Sequence, residues 1–232
     1  MQFIEKNSFD VRSAVYRLKK DGSGPEFLLF PMIHVGSPEF YEEISKRLVS
    51  CDLILAEGVK SKRVNLLTLS YRIVKHIRRM DLVTQCDGMK IENLRAKVLS
   101  TDMDGAAFDE RWSSLPLSLR ALLFIMLPIY VVYMFLFGTR EMIAKNIALD
   151  DLPSSEEIMS DDDDFEQFDS LIIDERDRKL IEHIVRLDAE KQGHQQIGIV
   201  YGARHMRSTT HFLMQKLNYR IVKAEWVKVF DL

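Results

Sequence analysis

The sequence predicts an α/β fold in which a mixed, mostly parallel central sheet is flanked by helices. Short apolar runs of strand type recur along the chain, and segments of helical period lie between them. Strands that alternate with helices are typical of a parallel sheet covered by helices. The length of 232 residues suits one large domain. We therefore expect residues 1–232 to form a single α/β domain.

The predicted strands are bounded by turn residues or by polar residues. Residues 13–18 alternate apolar and polar side chains, and turn residues then precede the apolar run 27–30, which predicts a hairpin. That run continues to Ile33 and stops at His34. The remaining strand predictions are residues 53–56, 97–99, 197–201 and the alternating, edge-type run 220–230.

Helices are predicted between these strands. Ser37 is a favourable N-cap, Pro38 suits the first helical turn, and Glu39 suits the positive end of the helix dipole. Apolar residues then recur at helical spacing from Phe40 to Leu48. The same periodicity predicts further helices over residues 66–80, 175–187 and 208–217.

Charge is unevenly distributed along a chain of ordinary globular composition. The net charge is only -3, yet residues 60–80 carry seven Lys or Arg without an acid, and residues 150–169 carry ten Asp or Glu without a base. Solvated surfaces of opposite sign are the simpler interpretation, and a basic helix facing a partner or an anionic membrane is the alternative. Nucleic acid is not an expected partner, since Tyr71 is the one aromatic residue of the basic stretch.

The N-terminal residues and the cysteines indicate a cytoplasmic protein. Residues 1–7 are polar and lack the apolar segment of a secretory signal. Cys51 and Cys86 are too few for a disulfide framework, which favours a reducing compartment. Cys51 is interpreted as a small buried residue and not as a nucleophile.

Three of the strand runs lead to side chains that can bind a metal. His34 ends one run, Glu57 ends the next, and His205 follows a third. Ligands of open α/β sheets bind at the carboxyl ends of the strands. Two imidazoles and one carboxylate are a common ligand set for a catalytic metal with an open position for water. The alternative is a pair of hydrogen-bonded structural histidines.

Several neighbouring residues are weaker candidates. Asp102 and Asp104 follow a predicted strand, and they either join the site or cap backbone amides in a turn. Glu175, Arg176 and Asp177 are either acids of a surface helix start or part of the site. His211 lies six residues after His205, on another helical face, and is not paired with it.

The ordered set of motifs resembles the TraB family, which groups with PrgY, GumN and TIKI proteins and more distantly with the erythromycin-esterase and ChaN-like fold. Residues 202–205, Gly-Ala-Arg-His, match the second of the family's two Gly-x-x-His motifs, and Glu57 ends a matching strand. Residues 31–36 occupy the first motif with Pro31 in place of glycine. Residues 174–177 are similar to the family's Glu-Arg-Asp helix start, and residues 98–104 to its Asp-containing strand. The resemblance extends from about residue 13 to residue 230.

The resemblance implies a metal-dependent hydrolase of peptide or ester bonds. TIKI proteins use manganese or cobalt, so the expected cofactor is one of these divalent metals in preference to zinc. By position, His34, Glu57 and His205 would be the metal ligands, and His34 and Glu57 would take part in catalysis. Arg176 would stabilise an oxyanion near the metal. The cation of Arg204 would either repel the metal or hold an anionic group of the substrate.

A helical insertion with an apolar run and an acidic loop is predicted over residues 106–170. Residues 121–138 are 18 residues without a charge, a borderline length for a membrane span. Pro128 within them favours a kink or a helix pair. One crossing would put His34 and His205 on opposite sides of the membrane. A lid, a homodimer contact and insertion into a membrane surface remain as alternatives.

Two other functions stay open from the sequence. Pro31 and the apolar run support a non-catalytic, membrane-associated TraB-like protein that binds or regulates a partner. The ChaN-like relatives suggest haem binding by the Met-rich apolar region, although methionines at helical spacing are usually core residues.

Overall fold

The structure is a computed structural model that describes residues 1–22, 24–58, 64, 68, 72–73, 76–77, 80–151, 174–190 and 195–232. It confirms the predicted α/β class, with a mixed sheet flanked by helices. Most of the predicted basic helix 66–80 and nearly all of the acidic stretch 150–169 lie outside the described residues.

Nine strands are present in the described part of the chain. They are β1 Ile4–Lys6, β2 Asp10–Lys19, β3 Glu26–Met32, β4 Val35–Gly36, β5 Leu53–Ala56, β6 Val83–Thr84, β7 Lys97–Ser100, β8 Gln196–Gly202 and β9 Arg220–Asp231. The four parallel strands follow one another in the order β3-β8-β5-β7, and β2 runs antiparallel to β1, β3 and β9. β9 pairs with β2 alone among the described strands, as predicted for an edge strand. β4 and β6 form a separate small ladder.

Helices connect and cover these strands. They are α1 Pro38–Leu48, α2 Gln85–Gly88, α3 Gly105–Ser114, α4 Leu117–Phe137, α5 Arg140–Asp151, α6 Asp174–Ala189 and α7 Ala203–Lys216, with a 3-10 turn at Ile91–Asn93. α1 begins as predicted, because the Ser37 side chain accepts a hydrogen bond from the Phe40 N–H at 3.2 Å. α7 begins at Ala203 and not at the predicted Ser208, so His205 lies within its first turn.

The core consists of two apolar layers, one on each face of the sheet. Along β3, Leu28 and Phe30 point into the layer covered by α1, while Phe27 and Leu29 point into the opposite layer. The second layer is completed by α6 and α7, whose Leu180, Ile184, Met206 and Leu213 are fully buried. The sheet therefore has helices on both faces, and its strand ends are left for a ligand site.

Pro31 occupies a buried position in β3 where the β2–β3 ladder has already ended. That ladder pairs residues 16–18 with residues 27–29, and at Pro31 the Ser13 hydroxyl donates to the proline carbonyl oxygen at 2.6 Å. Because the N–H and C=O of a strand residue point to the same side, the missing N–H faces β2 and not β8. Proline is therefore accommodated in an interior strand without loss of a β3–β8 bond.

The apolar run forms one helix, α4, that continues through Pro128. The prediction of a helix pair at Pro128 is therefore wrong. Proline removes one hydrogen bond from a helix, and the remaining bonds of this 21-residue helix keep it continuous. Among the described residues, α4 is the one helix that is long and apolar enough to cross a membrane, and only 11% of its most apolar window is buried.

Candidate functional site

Polar side chains collect where the parallel strands end. Glu57 follows β5, Asp102 lies two residues after β7, and His205 lies three residues after the end of β8. The first turn of α6 brings Arg176 and Asp177 to the same edge. The carboxyl ends of neighbouring parallel strands share one edge of a sheet, so residues distant in sequence meet there.

Glu57 is held by two donors. Its Oε1 accepts a hydrogen bond from Arg176 Nη2, and its Oε2 accepts one from the Gly202 N–H at 2.5 Å. A Cβ atom at Gly202 would lie 3.3 Å from Oε2, so this glycine permits a close approach to the carboxylate. The carboxylate also lies at the start of α7, where the helix dipole favours negative charge.

The surrounding charges keep Glu57 ionised. Burial by itself would raise the pKa of the Glu57 carboxyl, but the charge of Arg176, then those of His205 and His34, lower it to about 2. The N–H of Gly202 adds to this lowering. Glu57 is therefore a carboxylate throughout the physiological pH range.

Asp102 fixes the guanidinium of Arg176. Arg176 Nε donates to Asp102 Oδ1 and Arg176 Nη2 to Asp102 Oδ2, each at 2.7 Å. The Asp102 side chain is fully buried and also accepts from the N–H groups of Gly58 at 2.8 Å and Met103 at 2.7 Å. Burial acts to lower the pKa of Arg176, but its bonds to Asp102 and its pairing with Glu57 raise it overall. Arg176 thus remains a cation balanced by two carboxylates.

His205 is oriented by a carboxylate on the preceding helix, α6. It is only 3% exposed, and its Nδ1 lies 2.5 Å from Asp177 Oδ1. Asp177 Oδ2 accepts a further hydrogen bond from Ser208 Oγ. Because a carboxylate only accepts, this network assigns a proton to Nδ1 and turns the other ring nitrogen, Nε2, towards Glu57. That nitrogen lies 3.8 Å from Glu57 Oε1.

Tyr201 lies beneath the imidazole. Its ring packs edge-on against His205 with centroids 5.6 Å apart, and its hydroxyl shares a 2.7 Å hydrogen bond with Thr101 Oγ1. Burial raises the pKa of Tyr201, so its hydroxyl stays neutral. Tyr201 and Thr101 are buried and help to fix the ring of His205 in one orientation.

The structure brings several of the candidate residues together. Glu57 contacts Arg176 and lies 3.8 Å from Nε2 of His205. His34 is exposed beyond β3, yet near enough for its charge to affect Glu57. Arg204 is half-buried and lies one residue before His205 in the first turn of α7.

Two acidic residues have larger roles than the sequence indicated. From the sequence, Asp177 is either an acid at the start of a surface helix or part of the site. In the structure it is the hydrogen-bond partner of His205. For Asp102 both alternatives hold, since it caps two backbone amides and also binds Arg176. Asp104, in contrast, is exposed at the start of α3 and makes no side-chain capping bond there. The Glu-Arg-Asp motif was the feature that pointed to Asp177.

The donors present do not form a ready site for the predicted divalent metal. Both oxygens of Glu57 already accept hydrogen bonds, and the Arg176 cation lies beside them. Within the described ranges, no group of three His, Cys, Asp or Glu side chains is arranged to hold a metal ion. The arrangement therefore does not fit a three-ligand metal, and the role of manganese or cobalt stays a prediction.

Comparison of the chain with protein-family models, with curated proteins and with solved structures gave no match. The resemblance to the TraB family accordingly stays a prediction, and the arguments below depend on the geometry of the site.

Proposed function

We propose that this chain is a hydrolase of ester or amide bonds whose active centre is His205, Asp177 and Glu57. The observation that supports this most directly is the hydrogen bond between Asp177 and His205 Nδ1, which leaves Nε2 facing Glu57. A histidine whose second nitrogen is held by a carboxylate is a common general base.

In this scheme His205 takes the proton of the attacking water. Nε2 accepts that proton while the water oxygen attacks the carbonyl carbon of the substrate, and the imidazolium then gives the proton to the leaving group. Glu57, with a pKa of about 2, is too weak a base for this step. Its negative charge instead stabilises the imidazolium and binds the water through Oε1.

The arginines have different roles in the proposal. Arg176 is balanced by Asp102 and Glu57, so its first role is to position Glu57. The oxyanion role predicted for Arg176 would require the substrate to contact its guanidinium group, and this role stays a prediction. We assign Arg204 to an anionic group of the substrate, a peptide or a small ester, because it is half-buried and directly precedes His205 in the first turn of α7.

Hydrolysis of short-chain nitrophenyl esters by the full chain, after treatment with EDTA, tests the proposal. We expect activity to survive EDTA, since the scheme uses protein groups alone. His205→Gln should lower kcat/KM by roughly 10²–10⁴-fold, the contribution of a positioned base. Glu57→Gln should also lower kcat/KM, because it removes the negative charge that stabilises the imidazolium. His211→Gln, an exposed change on the same helix, is the matched control and should stay within about twofold.

Two results would contradict the proposal. One is an activity that His205→Gln leaves intact in a folded protein. The other is an activity that EDTA abolishes and manganese or cobalt restores, together with bound metal that His205→Gln loses. The second result would restore the metal-dependent mechanism expected from the sequence.

We also infer that the protein associates with a membrane through α4, and its cytoplasmic location stays a prediction. The supporting observation is a 21-residue helix whose most apolar window has a mean hydropathy of 2.2 and is largely exposed. Exposed apolar surface of this size usually marks an interaction site. A non-catalytic membrane-associated binding protein is therefore the second candidate function, and vesicle binding without any hydrolysis would favour it.

A further inference from the structure

The beginning of α4 is anchored beside the candidate active site. Leu119 is buried in a small cluster with Met103 and with the aromatic rings of Phe108 and Trp112 from α3. Met103 directly follows Asp102 at the carboxyl end of β7. Arg111 of α3 also pairs with Glu175, the neighbour of Arg176, at 3.1 Å.

The other end of α4 is anchored farther along the same edge of the sheet. Met134 is buried in the main core cluster, which also contains Met80. Just after the helix, Arg140 Nε donates to the Met80 carbonyl at 2.6 Å and Nη1 donates to the Asp231 carbonyl at 3.1 Å. Asp231 ends β9 and pairs with Asp10 at the start of β2. Since β2 is antiparallel to β3, this point lies at the carboxyl edge of the parallel strands.

α4 therefore extends across the edge that carries the site. Six strands from β7 to β9 span about 24 Å at the usual strand spacing. A helix of 21 residues is about 31 Å long, enough to cover that distance. Both of its ends belong to one edge of one sheet, so they cannot lie on opposite sides of a bilayer while the sheet stays in water.

Between these anchors, α4 exposes an apolar surface flanked by arginines. The large apolar side chains at least 39% exposed are Leu117, Leu122, Phe124, Ile125, Met126, Ile129, Tyr130, Val132, Tyr133, Phe135, Leu136 and Phe137. Residues 111–140 include Arg111, Arg120 and Arg140 and no acid.

This combination favours an anionic lipid surface over a second copy of the chain. A second copy would cover only one side of α4, and it would bring Arg120 and Arg140, near the two ends of the apolar run, towards the same cations. A bilayer covers apolar side chains to a depth of about 5–10 Å and offers phosphate groups to the flanking cations. The exposed tyrosines suit the boundary between lipid and water.

We propose that α4 docks on an anionic membrane with its axis in the membrane plane, and that the candidate active site takes its substrate from that surface. The substrate would be an amphiphile with an ester or amide bond near its polar end. The docking step stands on α4 alone, whereas the substrate class rests on the proposed hydrolase function.

Flotation with lipid vesicles tests the docking step. The full chain is mixed with vesicles of phosphatidylcholine, with or without phosphatidylglycerol, and we expect it to float with the anionic vesicles. The double variant Ile125→Glu/Ile129→Glu places two charges at exposed positions in the middle of α4 and should weaken binding by about tenfold or more. Val222→Glu, at an exposed position on β9, is the matched control and should bind as the wild type does.

The substrate class is tested with the same proteins on two nitrophenyl esters. One ester has a short, soluble acyl chain, and the other has a long chain dissolved in the vesicles. We expect the α4 variant to keep the soluble activity and to lose most of the vesicle activity, by about tenfold or more. His205→Gln should still float but cleave neither ester.

Each alternative result has a distinct meaning. Wild-type protein that does not float, or floats equally well with both glutamates, overturns the docking proposal even if the soluble ester is cleaved. A wild-type dimer in light scattering that the double variant dissociates would identify a second copy as the occupant and would also overturn it. Flotation without cleavage of either ester would leave docking standing but reject the substrate class together with the proposed function.

Discussion

Glu57 is the residue at which the charges of the site converge. It is partly buried, it accepts from Arg176 and Gly202, and it lies 3.8 Å from His205. Removing a carboxylate from water is costly unless cations and N–H donors replace the lost hydration. The same groups that stabilise the ionised form therefore make the stability of the protein depend on pH.

The free energy of unfolding should fall at acid pH because of Glu57. Its pKa is lowered from 4.5 to about 2 in the fold, so its contribution is fully present above the unfolded value and is lost as the pH falls towards 2. A shift of this size corresponds to about 3 kcal/mol. We would measure the free energy of unfolding by urea unfolding followed by circular dichroism. As the pH is lowered, this free energy should fall more steeply in the wild type than in Glu57→Gln. Parallel profiles for the two proteins would contradict this, and Glu110→Gln, an exposed carboxyl, should follow the wild type.

Sequence position at three strand ends predicted a site of His34, Glu57 and His205, whose role as metal ligands stays a prediction. It did not predict the partner of His205. An acid in the first turn of a helix is common for dipole reasons, and Asp177 is distinguished only by the way α6 packs beside α7. The same holds for Asp102, whose Arg176 partner lies 74 residues away in sequence.

At the scale of the element, the start of α1 offers a clean test of local stability. The Ser37 side chain caps the Phe40 N–H. The Ser45 hydroxyl, within the same helix, donates to the Tyr41 carbonyl at 2.7 Å, but a carbonyl inside a helix already accepts a backbone hydrogen bond. Ser37→Ala should lower the free energy of unfolding by about 1 kcal/mol. Ser45→Ala should change it by no more than about 0.5 kcal/mol, since alanine is the better helix former. Equal losses in the two variants, measured by urea unfolding, would show that the cap has no special role.

The elements differ in how far the sequence predicts them. Buried parallel strands such as β5 and β8 are apolar runs bounded by polar residues, so their positions were predictable. α7 starts earlier than predicted, because Glu57 binds the Gly202 N–H and the helix-forming residues after it can join the first turn. α4 continues through Pro128 although local rules favour a break. At the start of α7 a non-local contact outweighs the local preference, and in α4 the length of the helix does so.

At the scale of the molecule, strand order decides whether the site exists. β8, from the C-terminal part of the chain, inserts between β3 and β5 and thereby places Gly202 and His205 beside Glu57. The sequence predicted the class of sheet but not this order, because the pairing of parallel strands depends on contacts between distant segments. The same order puts both ends of α4 at one edge of the sheet.

The position of α4 gives a prediction about the whole molecule on a membrane. Single cysteines at Ser114 and Thr139 lie just outside the two ends of α4, and both positions are exposed. With Cys86 replaced by serine, background labelling is low, because Cys51 is buried and burial raises its pKa to about 11. If the helix lies in the membrane plane, a membrane-impermeant maleimide added outside sealed vesicles should label Ser114→Cys and Thr139→Cys equally. Labelling of one cysteine only, with the other reacting after detergent is added, would mean that α4 crosses the bilayer. The two strand ends that form the site would then have to separate, so a crossing would refute this sheet order as well as the in-plane helix.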